Sequence, residues 1–289
     1  MNSKKSGIII ASAAIVVLAV VAVIVSPFIK GTAEHLAARK YYSQNLKNVD
    51  NIVLLADCCT VDGKSNSVAG VKEAVRLGAD AVIVDLCFRS DGTPVITDNY
   101  EENQSAQTVE ELFAVLNEDK FKDIRLYLNV VQLSGLTELN RLAISYNMID
   151  RTYICGIDEA HYGLITSDDT IIPFLLEHKI SKEEKEAIAN GTFSVPDCIA
   201  RYGASGLEID ISAASAEVIS ALDDFGIPFI VTGTSSVDSF CKVLLNGAST
   251  VFTDDIELCS DILENWTLSM QERHSSSVNQ SLEDLKNKK

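Results

Sequence analysis

Short apolar runs of strand character alternate with stretches of helical period through most of this chain, which restricts it to folds whose parallel strands are joined by helices. The strand candidates are IVLLA (52–56), AVIVDL (81–86), IRLYLNV (124–130), TYICGI (152–157), IIPFLL (171–176), GLEIDI (206–211), PFIVTG (228–233) and TVFTD (250–254). Between most of them lie helical stretches such as SVAGVKEAVRLG, TVEELFAVLNE and VDSFCKVLLNG, several closing on a C-cap glycine. The runs are continuously apolar, as burial on both faces of a parallel sheet requires. Eight such strands predict a (β/α)8 TIM barrel; an open doubly wound sheet meets the same pattern, because the strand count alone does not show closure.

The barrel is expected over residues 48–266. Before it, Gly7 to Ile29 form an uncharged run of 23 residues, about 34 Å as a helix and enough to cross a hydrocarbon core of about 30 Å. The run exceeds the apolar region of a cleaved signal peptide, and no small-residue cleavage site follows SPFIK. The expected order is therefore a short flank (1–6), one transmembrane helix (7–29), a juxtamembrane helix or linker (30–47), the barrel, and a polar tail (267–289), read as a frayed helix or disordered segment. Lys4 and Lys5 before the span and Lys30, Arg39 and Lys40 after it leave the positive-inside count undecided. The very short flank favours a cytoplasmic N-terminus and an extracytoplasmic barrel in a single-pass protein. The seven cysteines (58, 59, 87, 155, 198, 241, 259) pull the other way, since they lie mostly in apolar runs without scaffold spacing. A net charge of −17 without a basic patch argues against nucleic acid as a partner.

In a barrel the C-terminal strand ends carry function. Here those ends hold Asp57, Asp85, Asn129, Glu208, Asp210 and Asp254, with Thr97 and Asp98 closing a further short run, TPVITD. Hard cations take such carboxylate and amide oxygens, so Ca²⁺ or Mg²⁺ is one reading. Ordinary turn and cap chemistry is the other.

The stretch SNSVAGVKEAVRLGADAVIVDLCFRSDGTPVITDN (65–99) resembles the signature region of glycerophosphodiester phosphodiesterases, which runs E-N-T, helix, G-A-D-x-[IV]-E-x-D-V, then D-G-x-P-V-x-x-H-D. NIVLLADCC is similar to the family's I-A-H-R-G strand, and GIPFIVTG…STVFTDD to its closing strands. The resemblance spans the whole domain and implies a TIM barrel that splits glycerophosphodiesters with two histidines, an arginine and a carboxylate-held cation. Carried over by position, however, the H-R-G motif falls on Asp57, Cys58 and Cys59, and the H-D pair on Thr97 and Asp98. The first glutamates fall on Ser65 and Ile83, leaving Asn66, Ser67 and Asp85 in place. The third-strand E-x-K becomes Asn129 and Val131.

Phosphodiester cleavage needs a base and an acid, each worth about 10² to 10⁴ in rate. Thr97 serves as neither, Asp57 with an ordinary pKa near 3.9 is a poor acid, and Cys58 lacks the cationic fork that grips phosphate. Metal binding would fall to Asp85, Asn129 and Asp57. A thiol nucleophile at Cys58 or Cys59 needs a base, and none of His35, His161, His178 and His274 falls at a predicted strand end. The expectation is a membrane-anchored, catalytically inactive relative with a glycerophosphodiester-like or protein ligand. Its alternatives are a divergent metal-dependent enzyme with an acidic site rebuilt around Asp57, Asp85, Asp98, Glu208 and Asp210, and a true family enzyme using another histidine.

Overall fold

The computed structural model describes residues 31–47, 49–57, 65–132, 136–167 and 170–287. The anticipated transmembrane helix (7–29), its flank, and Cys58 and Cys59 lie outside them. Among the described residues no helix is long and apolar enough to cross a membrane.

The chain enters as helix α1, residues 31–39. The elements that follow are β1 (Val53–Asp57), α2 (Val68–Arg76), β2 (Ala81–Phe88), β3 (Pro94–Ile96), α3 (Val109–Leu116), β4 (Arg125–Val130), α4 (Thr137–Ser145), β5 (Thr152–Asp158) and α5 (Tyr162–Ser167). Then come β6 (Phe174–Glu177), α6 (Lys182–Ala189), α7 (Val195–Tyr202), β7 (Gly206–Asp210), α8 (Ala216–Asp224), β8 (Phe229–Thr232), α9 (Val237–Asn246), β9 (Thr250–Thr253) and α10 (Ile256–Asn287). The sheet runs β1-β9-β8-β7-β6-β5-β4-β2, and β1 pairs with β2 in parallel to close the ring. Closure excludes the open doubly wound sheet. Strand β3 lies outside the ring, antiparallel to the far end of β2, so TPVITD forms the return arm of a hairpin that rises past the barrel mouth.

Alternation along the strands divides the core in two. Leu54, Val82, Val84, Leu126, Leu128, Leu207 and Val231 face the helices, while Leu55, Ala81, Ile83, Tyr127, Cys155, Leu175 and Ile230 fill the interior. Serine and threonine caps start α2, α3, α6, α8 and α9, with side-chain oxygens taking first-turn N–H groups. The described cysteines 87, 155, 198, 241 and 259 are free and buried. Burial pushes the Cys241 and Cys259 thiols up to about 12, the behaviour of inert core residues.

The tail beyond Trp266 takes the helical form: α10 runs to Asn287, and its Ser269 and Arg273 bond the carbonyl of Tyr42. One expectation changes. The strand expected over 171–176 begins only at Phe174, since Pro173 brings no N–H to the ladder and Ile171 is solvent-exposed. The strand end therefore moves to Glu177, and His178 follows it directly.

Candidate functional site

Asp85 is the centre of one half of the mouth. The β2–β4 register sets it beside Asn129, and the loop before α2 brings Asn66 over it. Asn66 occupies the left-handed region (φ 49°), which asparagine tolerates, and Ser67 immediately caps α2. The Asn66 amide donates to Asp85 Oδ2 at 2.8 Å and takes the Asp85 N–H on its own oxygen at 2.8 Å. Asn129 Nδ2 donates to Asp85 Oδ1 at 2.6 Å. Both carboxylate oxygens thus face N–H donors.

Of the proposed cation ligands, the structure brings Asp85 and Asn129 together, in a direct hydrogen bond. Asp57 is exposed at the end of β1 with Ile83 as its register partner. Ile83 itself is buried in the apolar interior. Among the described residues no group of three or more His, Cys, Asp or Glu is arranged to hold a metal ion. These residues do not fit a family-type Ca²⁺ or Mg²⁺ site, because the oxygens a hard cation needs are replaced by an aliphatic side chain or already occupied by amide hydrogens. Thr97 is buried, its hydroxyl bonded to the backbone of Asn99, and its own N–H is taken by the Asp85 carbonyl at 2.9 Å. Asp98 is exposed beside it, and Val131 is exposed just past β4.

The other half of the mouth is an acidic cleft of about 440 Å³, lined by Glu177, His178, Lys179, Glu208, Asp210 and Thr232 among others. Glu208 and Glu177 are register partners on β7 and β6. A bulge in β5 builds this half: the β5–β6 register shifts between Ile154 and Ile157, and Gly156 sits at φ 73°, where a Cβ would collide with Asn129 Oδ1. The bulge aims the Gly156 N–H at Glu208 Oε2, 3.2 Å away. Burial raises the Glu208 pKa above the ordinary carboxylate value, Glu177 adds to the rise, and the Gly156 N–H opposes it. Asp210 is exposed and takes the Ser212 N–H at 2.8 Å.

A buried carboxylate with a raised pKa is penalised above that pKa, and the penalty fades as pH falls through it towards the unfolded value. Glu208→Gln keeps an acceptor for Gly156 and removes the charge. The variant is therefore expected to melt higher than wild type at pH 7, with the gain disappearing below about pH 4, as thermal denaturation across pH would show.

His178 corrects the expectation that no histidine reaches a strand end. It is buried at the rim, its Nδ1 2.6 Å from Glu159 Oε1. Nε2 lies 3.3 Å from Glu184 Oε1, outside hydrogen-bonding alignment, and has no hydrogen-bond partner. His161 pairs with Asp158 on the exposed side, and His35 and His274 belong to α1 and α10. Gly156 was legible in principle, because a glycine inside a strand-like run marks a bulge; His178 was hidden because the expected strand closed at Leu176, one residue before the end of β6.

Comparison with solved structures supports the same barrel. The structure superimposes with a TM-score of 0.59 on a candidate glycerophosphoryl diester phosphodiesterase from Silicibacter pomeroyi, at 15% identity over 74% of this chain and 93% of that one. The chain has a glycerophosphodiester phosphodiesterase-like fold. A glycerophosphodiester phosphodiesterase from Agrobacterium tumefaciens gives 0.55 at 13% identity, covering 73% of this chain and 99% of that one. One from Parabacteroides distasonis gives 0.54 at 16%, covering 74% and 98%. No protein-family model matches the sequence, and neither does any curated relative.

Proposed function

We propose that this chain is a membrane-anchored glycerophosphodiester phosphodiesterase-like domain that no longer catalyses the reaction and serves as a binding, regulatory or scaffold module. The observation that carries this reading is the state of Asp85, the retained member of the E-x-D pattern. Its carboxylate is occupied by two side-chain amides, Asn66 and Asn129. The residues standing at the family's catalytic positions, Asp57, Cys58 and Thr97, supply no matched acid and base and no phosphate-binding cation. The uncharged run 7–29 supports the anchor.

The purified chain is expected not to release glycerol 3-phosphate from glycerophosphocholine with Ca²⁺ or Mg²⁺ present, and neither ion is expected to raise its melting temperature. Turnover above a heat-killed control would overturn the reading. The competing reading, an active enzyme with a relocated base, has one observation in its favour, the position of His178 at the end of β6. Turnover abolished by His178→Gln would establish it.

A further inference from the structure

The side of the barrel that faces the membrane follows from where the chain joins it. The described residues open in helix α1 at residue 31, and in sequence the uncharged run ends at Ile29, two residues earlier. The helix leads to contacts at the mouth end of the barrel. Burial, with a smaller push from nearby carboxylates that include Glu34, raises the Cys259 thiol in the first turn of α10. Lys40 Nζ lies 2.6 Å from Asp238 Oδ1 in the first turn of α9, and the Tyr41 hydroxyl donates to the same carboxylate. Both helices start just after a strand ends, so both first turns stand at mouth level.

From there the chain descends. Gln44 accepts from Trp266 Nε1 at 2.9 Å and from Arg273 at 3.1 Å, and Lys47 lies against Gly247 at the base, where α9 ends. Helix α10 runs in the same direction and overshoots the base. Residues 274–280 are all exposed, and the helix continues through SLEDLKN to Asn287. The segment past Arg273 is about 20 Å long at about 1.5 Å per residue. A segment whose sequence carries Glu283, Asp284 and Lys286 is not accommodated by hydrocarbon. Exposed apolar side chains do not distinguish the two ends, since Tyr100 and Val131 near the mouth are matched by Ile144 and Phe225 at the base.

We propose that the domain stands with its mouth towards the bilayer that holds its own anchor, with α10 projecting away from the membrane, so that whatever enters the mouth arrives from the lipid interface. The inference rests on the anchor reading given above. The bilayer surface that suits it is zwitterionic, because the mouth exposes Asp57, Asp98, Asp210 and Asp254 and would be repelled by anionic headgroups.

The test uses the full chain in phosphatidylcholine vesicles containing a lipid with a nitroxide on its headgroup. The single native tryptophan, Trp266, is fully buried and gives a constant background. Tyr100→Trp places a second, exposed indole at the mouth-side loop, and Phe225→Trp places one at the base. The emission added by Tyr100→Trp is expected to be largely lost to the nitroxide, while that added by Phe225→Trp is kept. Equal quenching, or quenching of Phe225→Trp alone, in a chain that floats with the vesicles overturns the orientation and leaves the anchor standing. A chain that does not float overturns both.

Discussion

Replacing Trp266 with alanine is expected to remove about 3 to 5 kcal/mol of stability, the usual consequence of deleting a fully buried indole. The side chain has no exposed surface. Its ring lies 6.1 Å from those of both Tyr41 and Tyr42, and its Nε1 donates to the Gln44 carbonyl at 2.9 Å. It therefore joins the segment that enters from α1 to the last barrel helix, two parts of the chain more than 220 residues apart. Losing it leaves a cavity and removes one of the two hydrogen bonds to the Gln44 carbonyl, the other coming from Arg273. Urea unfolding followed by circular dichroism would give the loss, since the variant has no tryptophan to report by fluorescence. Limited trypsin digestion should show earlier cleavage after Arg39 and Lys40, whose segment the indole pins down. Trp266→Phe, which keeps an aromatic ring and loses the hydrogen bond, should lose only about 1 kcal/mol. An alanine variant with an unchanged urea midpoint would mean that residues 31–47 do not belong to the cooperative unit.

That segment illustrates what the sequence made legible. The strand runs and their helical spacers were sufficient for a parallel sheet wrapped by helices, because burial on both faces imposes a composition that survives extensive divergence; its closure rests on the β1–β2 pairing. Strand ends were less secure. A run such as IIPFLL is apolar throughout, so nothing in its pattern marks where pairing starts; Pro173 decides it, by having no N–H to offer. The expected end, Leu176, fell one residue short of Glu177, and that was enough to leave His178 out of the strand-end residues. The polar composition after Trp266 suggested a tail, yet Ser269 and Arg273 are spent on the carbonyls of Tyr42 and Gln44, partners distant in sequence and invisible to local pattern.

The mouth was legible as a set of residues and illegible as a set of bonds. Asp85, Asn129, Glu208 and Asp210 were all identified from their places at strand ends, and all stand there. What composition does not reveal is which donors face which acceptors. Asn66, retained from the E-N-T turn, and Asn129, standing where the family has a glutamate, meet Asp85 from two sides. Amide hydrogens thereby satisfy a carboxylate that a cation would otherwise have to neutralise. Glu208 is held differently, by one backbone N–H that exists only because Gly156 bulges β5.

Asp85→Ala separates the two accounts of the mouth by the sign of its effect. If Asp85 is a structural acceptor, alanine strands the Nδ2 groups of Asn66 and Asn129 in a half-buried site, and the Asp85 N–H bond to Asn66 is loosened as well. Each stranded donor costs about 1 to 3 kcal/mol, so a loss of about 2 to 6 kcal/mol is expected in chelator and in Ca²⁺ alike. If Asp85 instead belonged to a cation site, the metal-free protein would hold clustered carboxylates that repel one another, and removing one would leave its stability unchanged or raise it. Destabilisation would then appear only where Ca²⁺ or Mg²⁺ stabilises the wild type. Asp85→Asn, which keeps one acceptor oxygen but turns an N–H₂ towards a donor, should fall between wild type and alanine. Equilibrium urea unfolding of the three proteins, each with EDTA and with each cation, reads the sign directly. A destabilised, cation-indifferent alanine variant fits only the structural account, in which hydrogen bonds hold the retained aspartate where the family would hold a metal.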